Sequence, residues 1–321
     1  MKAGFTIVFL AILATLPLWL DNPYLLHVLI VAGIFIIAAM SLNLLLGYAG
    51  QLSLGHVAFF GIGAYASALV SLGFKVTIFP HWVLTVEAKP VWLAMLMGMV
   101  AAGLCGWFIG RIAFKVRGAY FVIVSISFAE VVRLVAVNWV ELTQGPMALN
   151  NIPPLALGDF IFWRKPGNYW LVLAVAVVAY ILVRRLVHSR AGRAMVALAE
   201  NEPLATSVGI DVTRYLVLAA VVSAAMAGAA GALYAHYVRI VDPDVFLFIY
   251  TVTMVIMVVT GGKGTLAGPI VGGLIFGLLP EGLRALAFAP ETQWIVYGVL
   301  MVLVVYFLPQ GIVPALSRLR R

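Results

Sequence analysis

Residues 43–71 have the sequence NLLLGYAGQLSLGHVAFFGIGAYASALVS, in which five glycines interrupt apolar runs and no Asp, Glu, Lys or Arg occurs. Glycine-broken backbone and neutral polar groups are tolerated at membrane depth only where protein or a water-filled cavity satisfies their hydrogen bonds. The stretch therefore predicts a translocation pathway for an uncharged or zwitterionic solute rather than a plain membrane anchor. The candidate pathway residues within it are Asn43, Gly47, Gly50, Gln51, Ser53 and His56.

The composition of the whole chain is that of a membrane protein. Of its 321 residues, 64% are hydrophobic and only 10% are charged, and the mean hydropathy is +1.11. This balance excludes a soluble globular protein and predicts an all-α, polytopic membrane protein with broken or re-entrant segments. No segment is long and polar enough for a second domain, so we expect residues 1–321 to form one transmembrane domain. Cys105 is the only cysteine, so an internal disulfide is excluded.

Charge-poor apolar runs of about 20 residues, the length that spans a bilayer as a helix, recur along the chain. The first run follows Lys2 and resembles a signal peptide, but no small-x-small cleavage site precedes Asp21. We therefore interpret it as a retained span. We expect ten spans, at residues 5–20, 24–46, 57–72, 91–112, 118–140, 169–187, 214–237, 245–261, 267–287 and 292–308.

The distribution of Lys and Arg indicates the orientation of these spans. Most of the 20 basic residues fall on the side that carries both termini and the loop at 188–213. By the positive-inside rule this side is cytoplasmic, and the net charge of +8 reflects this placement rather than an affinity for nucleic acid. The smaller basic group on the opposite side consists of Lys75, Lys89, Arg164, Lys165, Arg239 and Arg284.

Small residues recur every four positions in two of the expected spans. They let helix backbones approach closely in lipid, so they indicate either packing within the bundle or a sliding or dimer interface. A second pattern is an internal echo, because Gly47-x-x-Gly50-x-Leu52 matches Gly261-x-x-Gly264-x-Leu266. Transporters are often built from repeats with broken helices at matching positions. The small-residue stripes are Ala220, Ala224, Gly228 and Ala232, and Gly264, Gly268 and Gly272.

The loop at 188–213, HSRAGRAMVALAENEPLATSVGIDVT, has the signals of ordered structure. Ser189 can cap one helix that runs through Ala199, and Asn201 can cap a second, with Pro203 in its first turn and Gly209 as its stop. Such a pair fits docking to a soluble protein or, alternatively, an amphipathic segment on the lipid surface. The absence of a bulky aromatic anchor favours protein docking.

Glu130 and Arg133 are the charged residues inside the fifth expected span, and Ser127 lies one turn earlier on the same helical face. Ionisable groups within a span usually face the bundle interior and pair with each other. The three side chains either line the pathway or hold two helices in register through an ion pair. His56 is interpreted as a hydrogen-bonded structural histidine, with a proton relay as the alternative.

Several other functions are disfavoured by the sequence. The segment GGKGT at 261–265 lacks the spacing of a phosphate-binding loop, since Met257 stands where the first glycine is required. We therefore expect no ATP hydrolysis by this chain and no cofactor. The five histidines are scattered along the chain, so we also expect no metal site. An ion-coupled secondary transporter would need titratable groups within its spans, and Glu130 is the only clear candidate.

Five stretches, in this order along nearly the whole chain, resemble one family. It is the larger of the two inner-membrane permease types of bacterial branched-chain amino acid ABC importers. The stretches are SLNLLLGYAGQLSLGHVAFFGIGAY, RGAYFVIVSISFAEVVRLVAVNW, RAGRAMVALAENEPLATSVGI, GGKGTLAGPIVGG and LPQGI.

The resemblance implies an importer that contains this subunit, a second permease, two cytoplasmic ATPases and a periplasmic solute-binding protein, embedded in membrane lipid. It implies import of leucine, isoleucine or valine, although urea and short-amide permeases are close relatives and remain an alternative. It also implies that the loop at 190–210 contacts an ATPase. The candidate coupling residues in that loop are Arg190, Arg193, Glu200, Asn201, Glu202 and Gly209.

Overall fold

Helices follow the apolar runs of the sequence. The computed structural model describes residues 13–20, 22–79, 82–115, 118–157, 160–285 and 290–318. The all-α polytopic class is confirmed. In chain order the helices are α1 (13–19), α2 (Pro23–Asn43), α3 (Val57–Leu72), α4 (Val91–Ala113), α5 (Ala119–Asn138), α6 (Val140–Thr143), α7 (Lys165–His188), α8 (Arg190–Glu200), α9 (Glu202–Ser207), α10 (Val212–Val238), α11 (Phe248–Gly261), α12 (Gly268–Ala285), α13 (Pro290–Phe307) and α14 (Ile312–Arg318).

Each of the ten expected spans that lies in the described residues is helical over most of its length, and residues 5–12 lie outside them. By length and hydropathy, five helical segments in the described residues can cross a membrane, and three shorter apolar helices accompany them. The expected span at 245–261 begins later, at Phe248, because Pro243–Phe246 forms a 3-10 turn and Leu247 has extended backbone. The 16 residues of α3 measure about 24 Å, less than the hydrocarbon core, so we expect the broken segment before α3 to complete the crossing.

Two short antiparallel hairpins, which the sequence did not predict, cap the end of the bundle opposite α8 and α9. One pairs β1 (Phe74–Phe79) with β2 (Trp82–Val86), and the other pairs β3 (Ala156–Leu157) with β4 (Phe160–Ile161). Strands this short give little period-two signal against an apolar background. The second hairpin is followed directly by α7.

The small-residue stripe of α10 packs against α3 and α4. A Cβ atom at Gly63 would overlap the backbone of Gly228, and one at Gly106 would overlap the side chain of Ala224. Gly231 likewise meets the backbone of Phe60. The interpretation of this stripe as packing within the bundle is therefore confirmed.

The glycines of α12 serve the same purpose against α2 and α11. A Cβ atom at Gly272 would overlap the carbonyl of Met257 on α11, and Gly273 and Gly277 meet Ile36 and Ala32 on α2. These close contacts place α2 between α12 and the α10 group. The carboxyl end of α2, where the glycine-rich stretch begins, is therefore held from both sides.

Candidate transport pathway and coupling surface

The glycine-rich stretch breaks the helix as the sequence predicts. After Asn43 the backbone widens into a π-helical turn, Leu44–Tyr48, and then runs without regular structure to α3. The N–H of Ala49 donates to the Leu44 carbonyl at 3.1 Å, and Gly50 takes the left-handed φ of +69°. π-turns of this kind are frequent at functional sites.

Hydroxyl groups from two other helices satisfy the broken backbone. The Ser125 Oγ on α5 accepts hydrogen bonds from the N–H groups of Leu54 and Gly55, at 3.1 and 3.3 Å. The Thr251 Oγ1 on α11 accepts from the N–H of Val57 at 3.1 Å. Ser125 and Thr251 were not singled out in the sequence, because only the fold brings them to the break.

Asn43 connects the two glycine loops. Its Oδ1 accepts from the N–H of Gly264 at 3.0 Å, and its Nδ2 donates to the Thr265 carbonyl at 2.9 Å. Gly47 lies against Gly264 so closely that a Cβ atom on Gly47 would overlap the Gly264 backbone. The loop at 44–56 and the loop at 262–267 therefore form one unit.

The internal echo has a structural counterpart. The matched glycines Gly50 and Gly264 share the left-handed conformation, with φ of +69° and +71°. Each loop connects two helices, α2 to α3 and α11 to α12, and the two loops touch. This one matched pair of left-handed glycines agrees with a repeat built around broken helices.

His56 is fully buried and hydrogen-bonded, as its structural interpretation expects. Its Nε2 lies 2.7 Å from the Ser41 Oγ, and that hydroxyl donates to the Ala38 carbonyl at 2.6 Å. With the Ser41 hydrogen used in this way, the arrangement suits the tautomer that is protonated on Nε2. The other ring nitrogen, Nδ1, has no partner among the described residues.

Ser53 and Gly55 line a cavity of about 20 Å³ beside α4, α5 and α10. This volume holds about one water molecule, so the cavity is not an open route for solute. Gln51 is half-buried and Gly50 is exposed on the side of α8. The residues of the glycine-rich stretch are thus brought together, and their role in transport stays a prediction.

Ser127, Glu130 and Arg133 lie apart from the residues of the glycine-rich stretch. Arg133 Nη2 lies 2.6 Å from Glu130 Oε1 on the same helix, and the two side chains are 28% and 52% exposed. Ser127 is exposed next to them. This ion pair therefore links no two helices of the described chain, and it lies on the outward face of α5.

The loop at 188–213 contains the two helices that the sequence predicts. The Ser189 Oγ accepts from the N–H of Gly192 at 3.3 Å and caps α8, and the Asn201 Oδ1 accepts from the N–H of Leu204 at 3.0 Å and caps α9. Gly209 ends the unit with φ of +86°. α8 extends to Glu200, one residue beyond the predicted end.

α8 is anchored under the broken segment of α2. Met195 is fully buried in a cluster with Leu45 and Ala49, and a Cβ atom on Gly50 would meet Ala199 at 2.9 Å. α8 therefore packs directly against the glycine-rich stretch.

The outer surface of the pair carries polar groups and two apolar side chains that the sequence analysis missed. Leu204 and Val208 are 63% and 72% exposed on and just after α9. Arg190, Arg193, Glu200, Asn201 and Gly209 are also exposed, and the Arg193 Nη1 donates to the His188 carbonyl at 3.0 Å. Glu202 is half-buried. The signal for Leu204 and Val208 was their place next to Pro203 and Gly209, where a short helix cannot bury both faces.

A helical bundle with broken helices inside it and a capped helix pair at one end is the architecture of a membrane transport permease. Residues 24–305 match the family model described as the branched-chain amino acid transport system, permease component. The chain belongs to this family, and the resemblance stated from its motifs is confirmed.

Several relatives carry the same description. The high-affinity branched-chain amino acid transport system permease protein LivM of Salmonella typhimurium is 31% identical, with 88% of this chain and 68% of that protein covered. The permease protein LivH of Escherichia coli is 28% identical, over 87% of this chain and 90% of that protein. The permease protein BraD of Pseudomonas aeruginosa is 26% identical, over 88% and 92%. No solved structure matches the chain significantly.

These relatives are transport permease subunits and not enzymes, in agreement with the prediction from the sequence. The chain is a multi-pass membrane permease subunit of an ABC importer, in which another permease takes part.

Proposed function

We propose that this chain conducts branched-chain, hydrophobic amino acids across a bacterial inner membrane in an importer driven by ATP. The observation that carries the proposal is the family match over residues 24–305, together with relatives named for branched-chain amino acid transport. The transmembrane segments hold few charges, which suits a small zwitterion with an apolar side chain better than an ion. A periplasmic binding protein delivers the solute, and both termini of the chain are cytoplasmic.

The α8–α9 pair is the proposed contact with one of two cytoplasmic ATPase subunits. Leu204 and Val208 supply the apolar centre of the contact, and Arg190, Glu200 and Asn201 supply its polar rim. The contact between Ala199 and Gly50 supports this assignment, because it gives a mechanical connection from the ATPase surface to the broken helix.

The outward face of α5 is the proposed boundary with the second permease, and the solute route lies along it. Glu130 is eight residues, about 12 Å, from the nearer end of α5, so its carboxylate lies at the depth of the hydrocarbon. A charged pair at this depth is costly against lipid and stable against protein or water. Glu130 and Arg133 can exchange their mutual contact for the ammonium and carboxylate of a zwitterion that passes between the two permeases.

The test is uptake into proteoliposomes that contain the whole assembly. We expect accumulation of leucine, isoleucine or valine that requires the binding protein and ATP on the cytoplasmic side. Uptake without ATP that follows an imposed proton or sodium gradient would overturn the ABC mechanism. ATP-dependent uptake of urea or a short amide, with none of the amino acids, would keep the mechanism and replace the solute.

A further inference from the structure

A cavity of about 330 Å³ lies at the end of the bundle opposite α8 and α9, away from the broken segment of α2. α2 and α7 begin beside it, α10 ends beside it, and residues that follow the β3–β4 hairpin cover one wall. Its volume is at the lower end of the range of small-molecule sites. The lining residues that carry the argument are His27, Trp163, Lys165, Asn168, His236 and Arg239.

Two cations line this cavity with donor groups to spare. Lys165 Nζ donates to the Pro23 carbonyl at 2.9 Å, and Arg239 Nε donates to the Ile152 carbonyl at 3.0 Å. The Arg239 guanidinium also lies over the Trp163 ring, 5.8 Å from its centroid. Within the described part of the chain these two side chains make no other hydrogen bond, and no carboxylate lines the cavity. The site is therefore suited to an anionic group.

Asn168 is a buried polar residue in the wall of the cavity. The residue is only 8% exposed, and its Oδ1 has no hydrogen-bond partner among the described residues. A buried acceptor without a donor is unfavourable, and Oδ1 is shielded from the cavity in this structure. We therefore expect the Asn168 amide to turn its Oδ1 toward a ligand that carries an N–H or O–H next to its negative charge. The two histidines are already engaged, His27 with the Tyr237 hydroxyl and His236 with the Pro153 carbonyl.

The surroundings of the cavity place it at the level of lipid headgroups. Trp163, Trp170 and Tyr24 are exposed at the helix ends around it, as in the aromatic belt of membrane proteins. α7, which forms one wall, has only 17% of its most apolar window buried within the subunit, the lowest share among the five longest apolar segments. Lipid in the bilayer can therefore reach the cavity along α7.

We infer that this cavity binds the headgroup of a phospholipid. The phosphate accepts hydrogen bonds from Lys165 and Arg239, and an ammonium or hydroxyl of the same headgroup donates to Asn168 Oδ1. Ethanolamine and glycerol headgroups carry such a donor, whereas the choline headgroup has none. The inference goes beyond the proposed function and does not depend on which solute is transported.

The test is lipid binding to the delipidated, purified complex, followed by native mass spectrometry. For the natural sequence we expect phosphatidylethanolamine and phosphatidylglycerol to bind about 10-fold more tightly than phosphatidylcholine. Asn168→Leu should remove this preference and leave phosphatidylcholine binding unchanged. Arg239→Asn should weaken all three lipids about 10-fold, and asparagine tolerates the φ of +67° at this position. Arg164→Asn is the control, because it removes an exposed cation that does not line the cavity. This variant should bind the three lipids with the affinities of the natural protein.

Asn168→Ala also removes the acceptor and should lose the same preference, and it replaces Asn168→Leu where that variant does not assemble. Equal affinity of the natural protein for the three lipids would overturn the inference, as would a preference that survives in both Asn168 variants. Displacement of bound lipid by inorganic phosphate or by leucine at matching concentrations would assign the cavity to a free anion or to the solute instead.

Discussion

Asn43 has the most far-reaching contacts of any single residue in the glycine-rich stretch. Its amide bonds Gly264 and Thr265, which are 221 and 222 residues away in the sequence. Removal of either bond would leave a partly buried backbone group unpaired, at a cost of about 1–3 kcal/mol. Gly47 makes this arrangement possible, because only a residue without a Cβ atom lets the two loops come so close.

The Gly47 contact predicts a sharp difference between two glycine substitutions. In Gly47→Ala the new methyl group overlaps the Gly264 backbone, so the loops must separate and the Asn43 bonds must lengthen. We expect uptake to fall at least about 10-fold, with a lower thermal unfolding midpoint of the purified complex. Gly282→Ala is the matched control, since a Cβ atom there meets nothing within 4 Å. Equal behaviour of the two variants would disprove the role of the contact.

Among the helical elements, the α8–α9 pair is held by its inner face and presents its outer face. Gly192, Met195 and Leu198 are buried, and Ser189 and Asn201 fix the two helix starts through their caps. Leu204 and Val208 on the outer face are largely exposed and take no part in this anchoring. Surface substitutions there therefore test docking without disturbing the bundle.

Leu204→Asp should weaken docking of the ATPase. The variant places a charge at the apolar centre of the proposed contact, and we expect at least about 10-fold weaker retention of the ATPase in co-purification, which corresponds to about 1.4 kcal/mol. The thermal midpoint of the permease should not change, since Leu204 is 63% exposed. Thr213→Asp adds the same charge at an exposed position at the start of α10 and serves as the control. Normal retention in Leu204→Asp would remove α9 from the contact.

The ion pair on the outward face of α5 has two interpretations: it holds the two permeases together, or it binds the solute. If the pair only holds two permeases together, it does not matter which of positions 130 and 133 carries the acid and which carries the base. If the pair meets the ammonium and carboxylate of a solute, the position of each charge matters.

Exchange of the two charges tests this difference. Glu130→Gln and Arg133→Gln should each reduce uptake about 10-fold, because each leaves one charge without its partner at membrane depth. In the double variant Glu130→Arg, Arg133→Glu the ion pair forms again on the same helical face, so co-purification of the second permease should recover. Uptake should stay low, because the solute then meets charges of the wrong sign. Full recovery of uptake in the double variant would make the pair purely structural.

The whole molecule has two chemically different ends. One end carries the α8–α9 pair, and the other carries the two β-hairpins and the headgroup-level cavity. Because α7 connects the β3–β4 hairpin to α8, these features must face opposite sides of the membrane. The excess of Lys and Arg predicts that the α8 end faces the cytoplasm.

This orientation can be measured with single cysteines in a Cys105→Ala background. Ser207→Cys lies on exposed α9, and Asn150→Cys lies in an exposed loop at the opposite end. A membrane-impermeant thiol reagent added to intact cells should label Asn150→Cys only, and both variants should react after the membrane is opened. Labelling of Ser207→Cys in intact cells would show that the orientation is opposite to the predicted one.

The sequence by itself determined the membrane class, the helical runs, the broken segment after α2 and the two capped helices of the 188–213 loop. These features are local, since hydropathy, caps and glycine positions act within a few residues of the chain. Only the tertiary structure decided that Asn43 bonds the second glycine loop, that Ser125 and Thr251 satisfy the broken backbone, and that Glu130 faces outward. Such contacts depend on which helices pack together. A stripe of small residues indicates that a helix face packs closely, but it does not indicate against which helix.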